Sequence, residues 1–382
     1  MLDLYFQPHE AILPANLPFG PLCSSMDGEA DQGVDNTVHS LQLLLWEQAK
    51  VALRENTEVE CFRIVYAEFI FSITERPHSR QDIDPVMQDS ESKHHTLDSP
   101  AYLEAGIPII GQLLSNERPS FHLEQAARKM LALKCRFEME ELRSRSRSEA
   151  GLAPQQQQTL GFLYWLLVMF DTVVSPLKSR PVVIADEYCR PDSLQNTDCQ
   201  WRLDMFLKDD SEMPRSLRWP CSPEIAARAI IKAAPIKVLL YRQLFYIQNA
   251  LRKQSSTHDI LSATKGAVAV CRYWDMTYAS FFQGLLQGYD GVSAQLRSWF
   301  VCIFTAWNLG TLVLADLVEL VYEKTSPGDK IVYAQNKPMD MRRSSAINLA
   351  ELAGAVIPQK NDQGQLPKYH AASLPLSYVI IE

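Results

Sequence analysis

The chain has 382 residues, a length that fits one large domain or two ordinary ones. Apolar residues make up 47% of it, which is enough to fill a large buried core. Its 37 Lys and Arg against 45 Asp and Glu give a net charge of −8, which excludes the chain-wide basic surface of a protein that binds nucleic acid unaided. The eight cysteines include no Cys-x-x-Cys pair, so we predict neither a zinc knuckle nor a secreted disulfide framework.

The N-terminal segment, residues 1–37, is predicted to be an acidic, disordered arm. Residues 1–49 contain seven acidic side chains and no Lys or Arg, with large apolar residues such as Phe6 and Phe19 between them. Two interpretations stay open: an activation segment whose apolar side chains dock into a partner, and a floppy terminus. The segment also lacks a positively charged start, so we expect no secretory signal and an intracellular location.

Residues 38–382 are predicted to be one all-helical domain, because apolar residues recur at three- and four-residue steps without strand–helix alternation. A polar stretch near 74–99 predicts a mobile loop, and the glutamine tract at 155–158 predicts a linker. Pro235 is expected to break or kink its helix. Helices are predicted from Val38 with a break at Asn56 and Thr57, over 101–114, 121–142, 160–174 and 201–210, from Ser222, and over 263–287, 298–323 and 344–355.

Two apolar stretches raise the question of a membrane span. Residues 298–315 carry no formal charge over eighteen positions, which is just long enough to cross a bilayer. Asn308 and Gly310 in the middle of the stretch favour a helix buried in a protein core instead. Residues 160–174 are apolar all round and are predicted to be a central buried helix, too short for a span. We therefore expect no membrane partner.

The one basic run lies near the end of the predicted helix over 121–142. Arg143, Arg145 and Arg147 alternate there with serines. This pattern is typical of a nuclear import signal, a phosphate contact or a kinase target, and also of a solvated helix end.

Local motifs of catalysis are missing from the sequence, including Gly-x-Ser-x-Gly, Gly-x-Gly-x-x-Gly and His-Glu-x-x-His. The chain is therefore predicted not to be an enzyme, and Gly284 and Gly288 are predicted to allow close helix packing. Asp171, near the end of an apolar helix, and Arg180, beyond a proline turn, are the two charges expected near the core. We interpret them as a structural ion pair, with a polar anchor for a small effector as the alternative.

Two segments of the chain resemble a known family. The first runs from Leu163-Tyr164-Trp165-Leu166 through Phe170-Asp171 to Ser179-Arg180-Pro181 and Ala185-Asp186-Glu187. The second is Arg218-Trp219-Pro220-Cys221-Ser222, followed by residues 234–242. Together and in this order they resemble the middle homology region of fungal zinc-cluster transcription factors, and are similar to the branch that includes ethanol-utilisation activators. The match covers about residues 120–355.

The sequence departs from the family pattern at several points. Thr172 stands where many members have Arg, Ser179 replaces a common Gly, and Ala185 replaces Ser. The Cys-x-x-Cys-x6-Cys cluster that places a helix in the DNA major groove is not found in these residues, nor is the coiled coil that sets half-site spacing. We expect zinc only if an upstream six-cysteine cluster exists, and no cofactor otherwise.

The resemblance implies a large all-α regulatory domain of the fungal-specific transcription factor type, located in the nucleus and controlling a metabolic or secondary-metabolite gene set. DNA binding is expected to be indirect or absent in this chain. The implied partners are the transcription machinery or another DNA-binding regulator, a small-molecule effector, and a second subunit in a homodimer or heterodimer. The alternative is a helical small-molecule-binding protein or enzyme of a metabolic pathway. The motif positions expected to be structural or to line an effector pocket are Trp165, Asp171, Arg180, Pro181, Asp186, Trp219 and Pro220.

Overall fold

A computed structural model describes residues 31–74, 119–147, 154–189, 200–207, 217–324 and 338–356. Within these ranges the regular elements are all helical, which confirms the all-α fold class. Residues 1–30 of the predicted arm, residues 75–99 of the predicted loop and the predicted helix over 101–114 lie outside the described residues.

The described ranges contain nine α-helices and three short 3-10 turns. The turns are Asp186–Cys189, Leu203–Met205 and Tyr289–Gly291. The helices are α1 (Asp31–Glu55), α2 (Phe62–Ile73), α3 (Pro119–Arg147), α4 (Pro154–Leu177), α5 (Pro223–Arg252), α6 (Thr257–Thr277), α7 (Ala279–Gln287), α8 (Ala294–Lys324) and α9 (Pro338–Val356).

Several helices begin earlier than predicted, and for two of them this overturns an assignment. Helix α1 starts at Asp31, so the end of the predicted 1–37 arm is helical. Helix α4 starts at Pro154 and includes the glutamine tract that was predicted to be a linker. Proline is compatible with a first helical position and glutamine is a good helix former, which explains the correction.

Three further expectations differ from the structure in part: the break at Pro235, the single helix over 263–287 and the helix over 201–210. Helix α5 begins as expected, with Ser222 Oγ accepting a hydrogen bond from the Ile225 amide at 3.4 Å, but it continues through Pro235 without a break. Tertiary packing of its apolar face offsets the cost of an interior proline. Conversely, the single helix predicted over 263–287 ends at Tyr278 and restarts as α7, with Tyr278 buried at the junction. The helix predicted over 201–210 is reduced to the turn Leu203–Met205, and residues 208–210 lie outside the described residues.

The chain divides into two compact units within α4, after Leu167, where the sequence predicts a single domain from residue 38 to 382. The N-terminal unit contains α1, α2, α3 and the first part of α4. The C-terminal unit contains the end of α4 and all helices from α5 to α9.

In the N-terminal unit, α2 packs along α3 through a buried apolar seam that includes Val65 and Met130. A charged pair lies within this seam. Lys129 Nζ donates to Glu68 Oε1 at 2.7 Å, and the two side chains are only 5% and 2% exposed. Glu68 Oε2 is buried without a hydrogen-bond partner. Because burial disfavours the carboxylate more than Lys129 stabilises it, the pKa of Glu68 is raised above its ordinary value.

The C-terminal unit is built around α5, which packs against α6 and α8. Leu239, Leu240 and Leu244 are fully buried in its core. Helix α8 approaches α5 at Gly310, where an added Cβ atom would lie 3.1 Å from Leu240. The Tyr241 hydroxyl donates a hydrogen bond to the Ala306 carbonyl of α8 at 2.6 Å, so the contact is both apolar and hydrogen-bonded.

Helix α9 packs on α8 with little apolar burial, since Ser345 and Leu352 are its buried residues. Exposed ion pairs also join the two helices: Arg342 pairs with Asp316 at 2.7 Å and with Glu319 on α8. Exposed ion pairs contribute about 0 to 1 kcal/mol each, and burying one leucine contributes about 1.5 to 3 kcal/mol. Helix α9 therefore buries fewer side chains than α5, although its contact with α8 is extensive.

Among the residues that the structure describes, two helical segments are long and apolar enough to cross a membrane: Gln157–Leu177 within α4 and Ala294–Glu323 within α8. The prediction that the apolar stretch around 160–174 is too short for a span is thus wrong on length, because the helix extends at both ends. Core helices of soluble proteins meet the same two criteria.

The raised pKa of Glu68 predicts a pH dependence of stability. A carboxyl with a raised folded-state pKa stabilises the fold below its unfolded pKa, and that contribution is lost as pH rises through the folded-state value. We expect the free energy of unfolding of the wild type, relative to the Glu68→Gln variant, to fall as pH rises from about 4 to 7. Urea unfolding of both proteins across this range measures it. A difference that is flat or increases with pH contradicts the assignment.

Candidate functional site

A buried carboxylate near the end of α4 organises the first half of the candidate site. Asp171 is fully buried and accepts a hydrogen bond from Arg180 Nη1 at 2.8 Å, which is the ion pair that the sequence predicts. Its other oxygen accepts the backbone N–H groups of Val183 and Ile184 at 2.7 and 3.0 Å. Three donors therefore compensate the buried charge and tie the segment after α4 back to the helix.

The turn that brings Arg180 back to Asp171 depends on one residue in an uncommon conformation. Ser179 has φ 51°, in the left-handed region where glycine is favoured. The Arg180 amide donates to the Ser175 carbonyl at 2.9 Å, which closes α4 with a Schellman-type turn. Pro181 is exposed and contributes its carbonyl, which accepts from Arg180 Nη1 at 2.9 Å.

A buried guanidinium on α5 forms the second half of the site. Arg242 is 0% exposed, and its Nε donates to Asp186 Oδ1 at 2.6 Å. Its Nη1 donates to Thr172 Oγ1 at 3.2 Å, and its Nη2 donates to the Ile184 carbonyl at 2.8 Å. The guanidinium thus contacts the end of α4 and the segment after it at the same time, which joins both to α5.

Aromatic residues complete this arrangement. Tyr246, one turn after Arg242, donates its hydroxyl to Asp186 Oδ2 at 2.7 Å and accepts the Trp201 amide at 2.8 Å. Gln243 Nε2 donates to the Trp201 carbonyl at 2.6 Å. The Trp201 ring centroid lies 5.1 Å from the Arg242 guanidinium carbon, a distance typical of cation–π contacts. A second chain segment, around Trp201, is therefore fastened to α5 by the same residues.

The electrostatics of the site favour fixed protonation states. Burial works to lower the pKa of Arg242, but Asp186, Cys189 and Tyr246 together outweigh it and the pKa is raised. Burial and the Asp186 charge also raise the pKa of Tyr246. The guanidinium therefore stays charged and the phenol stays a donor at neutral pH. The arrangement holds two chain segments in place and presents its polar atoms to each other, while the Asp186 side chain remains 14% exposed at its edge.

The structure brings together only part of the predicted set. Asp171, Arg180 and Asp186 lie in one hydrogen-bonded arrangement in the C-terminal unit, joined through the backbone of residues 183 and 184. Trp165 belongs to the N-terminal unit, where its ring centroid is 5.8 Å from that of Tyr164.

Trp219 and Pro220 form a separate corner against α7. The peptide bond between them is cis, and Trp219 lies over Gly284 and Gly288. An added Cβ atom on Gly284 would be 2.9 Å from Trp219 Cβ, and one on Gly288 would be 2.6 Å from Trp219 Nε1. The two glycines were predicted to allow close helix packing. In the structure they allow close approach of the side chain of Trp219, which precedes α5 in the chain.

Sequence reasoning missed Arg242, Tyr246 and Trp201 as site residues. The available signal was Arg242 itself, a charged residue within the run of apolar residues of α5. Arginines are rarely buried without a partner, so its position predicts one. Arg242 and Tyr246 both contact Asp186, which lies 56 and 60 residues before them in the chain. Sequence spacing could therefore not reveal these contacts.

The described residues contain no group of three or more His, Cys, Asp or Glu side chains arranged to hold a metal ion. A comparison with known proteins finds no matching family model, no matching curated protein and no matching solved structure.

Replacing Arg242 with methionine is expected to destabilise the protein by about 3 kcal/mol, because it leaves the Asp186 carboxylate largely buried and unpaired. Arg228→Met is the matched control, since it changes the same residue type on an exposed position of α5. Urea unfolding followed by circular dichroism measures both. Equal stability of the two variants would contradict the role assigned to Arg242.

Gly284→Ala is expected to destabilise the protein by about 1 to 3 kcal/mol, because the new methyl group would clash with Trp219. Gly354→Ala, where an added Cβ atom meets nothing within 4 Å, is expected to stabilise α9 by about 0.5 to 1 kcal/mol. Thermal unfolding of both variants gives the comparison. A neutral Gly284→Ala variant would mean that the corner has room to move.

Proposed function

We propose that this chain is a regulatory domain of the fungal-specific transcription factor type, which controls transcription of a metabolic or secondary-metabolite gene set from the nucleus. It reaches DNA through a partner, either another DNA-binding regulator or the transcription machinery. The net charge of −8 supports an indirect route, because the chain carries no overall basic surface for phosphates.

The observation that carries the proposal is the contact between the two segments that resemble the family. The segment around Asp186 belongs to the first motif and Arg242 ends the second. They meet in a buried ion pair at 2.6 Å. Motifs that are distant in sequence but joined in one interior arrangement support a shared structural origin of the resemblance more strongly than either motif does alone.

The same contact suggests how an effector would act. Asp186 is the partly exposed member of the site, and Arg242 is its buried partner on α5. A small polar molecule that paired with the Asp186 carboxylate would compete with Arg242 and weaken the hold of the 183–186 segment on α5. In this proposal the effector shifts the population of two arrangements by its differential affinity for them.

The test uses tagged wild-type chain, the Arg242→Met variant and the Arg228→Met control in cells from which the native gene is deleted. We expect the wild type in the nuclear fraction, at promoters in chromatin immunoprecipitation, and restoring a transcript set that the deletion changes. Arg242→Met should fail to restore those transcripts when expressed at the control's level, because its regulatory arrangement is broken.

A chain that is excluded from the nucleus, and whose deletion leaves the transcriptome unchanged, contradicts the proposal. Turnover of a metabolite by the purified protein would support the alternative, a metabolic enzyme. Thermal stabilisation by a metabolite without turnover, together with promoter occupancy, would support the sensor mechanism.

A further inference from the structure

Helix α9 carries two arginines directly before two serines, Arg342-Arg343-Ser344-Ser345. Ser345 is 3% exposed and is one of the two buried residues of α9, whereas Ser344 and Arg343 are exposed. Arg342 pairs with Asp316 and Glu319 of α8, and Ser345 lies one turn further along α9. Ser345, which follows Arg342 by three residues and Arg343 by two, is therefore the buried serine of the two.

Guanidinium groups two and three residues before a serine are the feature that basophilic serine kinases recognise, because acidic side chains in their substrate cleft form charge-assisted hydrogen bonds with them. We propose that Ser345 is a phosphorylation site that is concealed while α9 is docked on α8, and that its phosphate keeps α9 undocked. The modification transfers the γ-phosphoryl group of ATP to Ser345 Oγ, with loss of the hydroxyl proton and release of ADP.

The docked state conceals the recognition feature as well as the hydroxyl. Arg342 pairs with Asp316 and Glu319 of α8, so the guanidinium that a kinase would bind is already engaged. Release of α9 frees Arg342 and exposes Ser345 in a single step. Because the buried residues of α9 are Ser345 and Leu352 and its ion pairs with α8 are exposed, its release leaves the buried core around α5 intact.

The phosphate would oppose redocking for two electrostatic reasons. It adds a charge of about −1.5 to −2 on a face that meets Asp316 and Glu319, which are also negative. It also lies one turn from Arg342 on the same helix, close enough to pair with that guanidinium and remove it from α8. A nearby hydrogen bond, from Asn348 Nδ2 to the buried Asn308 at 3.0 Å, would be lost with the contact.

The first experiment incubates the full chain with radiolabelled ATP and the catalytic subunit of cAMP-dependent protein kinase, and locates the phosphate by mass spectrometry. We expect label on Ser345 that is lost in Ser345→Ala and retained in Ser344→Ala, its matched neighbour. Loss of label in Ser344→Ala alone, or equal labelling of Ser345→Ala and the wild type, overturns the proposal.

The second experiment tests the gate. The double variant Asp316→Asn, Glu319→Gln leaves the kinase motif intact and weakens docking, so the initial phosphorylation rate should rise by about fivefold. Glu323→Gln, an exposed carboxylate on the same helix, is the control and should leave the rate unchanged. An unchanged rate in the double variant would overturn the gating.

The third readout is hydrogen exchange of the α9 amides in the enzymatically phosphorylated wild type. We expect these amides to lose protection while those of α5 keep theirs, because only the α8 contact is broken. Unchanged protection of α9 after stoichiometric phosphorylation would overturn the second half of the proposal. Since the wild-type fold is used throughout, a variant that fails to fold does not affect this result.

Discussion

The C-terminal unit depends on the ion pair between Arg242 and Asp186. A guanidinium that is 0% exposed would cost several kcal/mol in an apolar interior, and the fold offsets this with a carboxylate, a hydroxyl and a backbone carbonyl at 2.6 to 3.2 Å. Because each acceptor comes from the end of α4 or the segment after it, α5 can occupy the core only when that segment is in position. The pair thus couples the placement of elements that are distant in sequence.

Ile184 shows how the coupling is achieved. Its amide donates to Asp171 on α4, and its carbonyl accepts from Arg242 on α5. Ile184 is buried outside any helix, so its backbone polar groups must find partners, and here two oppositely charged side chains supply them. The Ile184 amide stabilises the Asp171 carboxylate and the Ile184 carbonyl stabilises the Arg242 guanidinium, while both side chains satisfy that backbone. This reciprocity explains why irregular chain is tolerated in the interior, where loops are uncommon.

The sequence predicted what depends on local pattern. The pair between Asp171 and Arg180 followed from two charges on either side of a proline turn at the end of an apolar helix, and the all-α class followed from periodicity. The interaction of Arg242 with Asp186 could not be predicted, because periodicity places a residue on a helix face but does not name its partner across 56 residues. The break at Tyr278 was missed because no glycine or proline marks it in the sequence.

Helix α9 illustrates the opposite use of charge. Arg342 pairs with Asp316 and Glu319 at a surface where all three side chains are at least 33% exposed, so salt and competing charges can weaken the contact. The pair between Arg242 and Asp186 is less open to both, since Arg242 is 0% and Asp186 14% exposed. The contact between α8 and α9 and the buried pair between Arg242 and Asp186 therefore differ in exposure to solvent. A modification that acts on α9 leaves the buried pair intact. A regulatory input at α9 and an effector input at Asp186 would then operate on separable parts of the same unit.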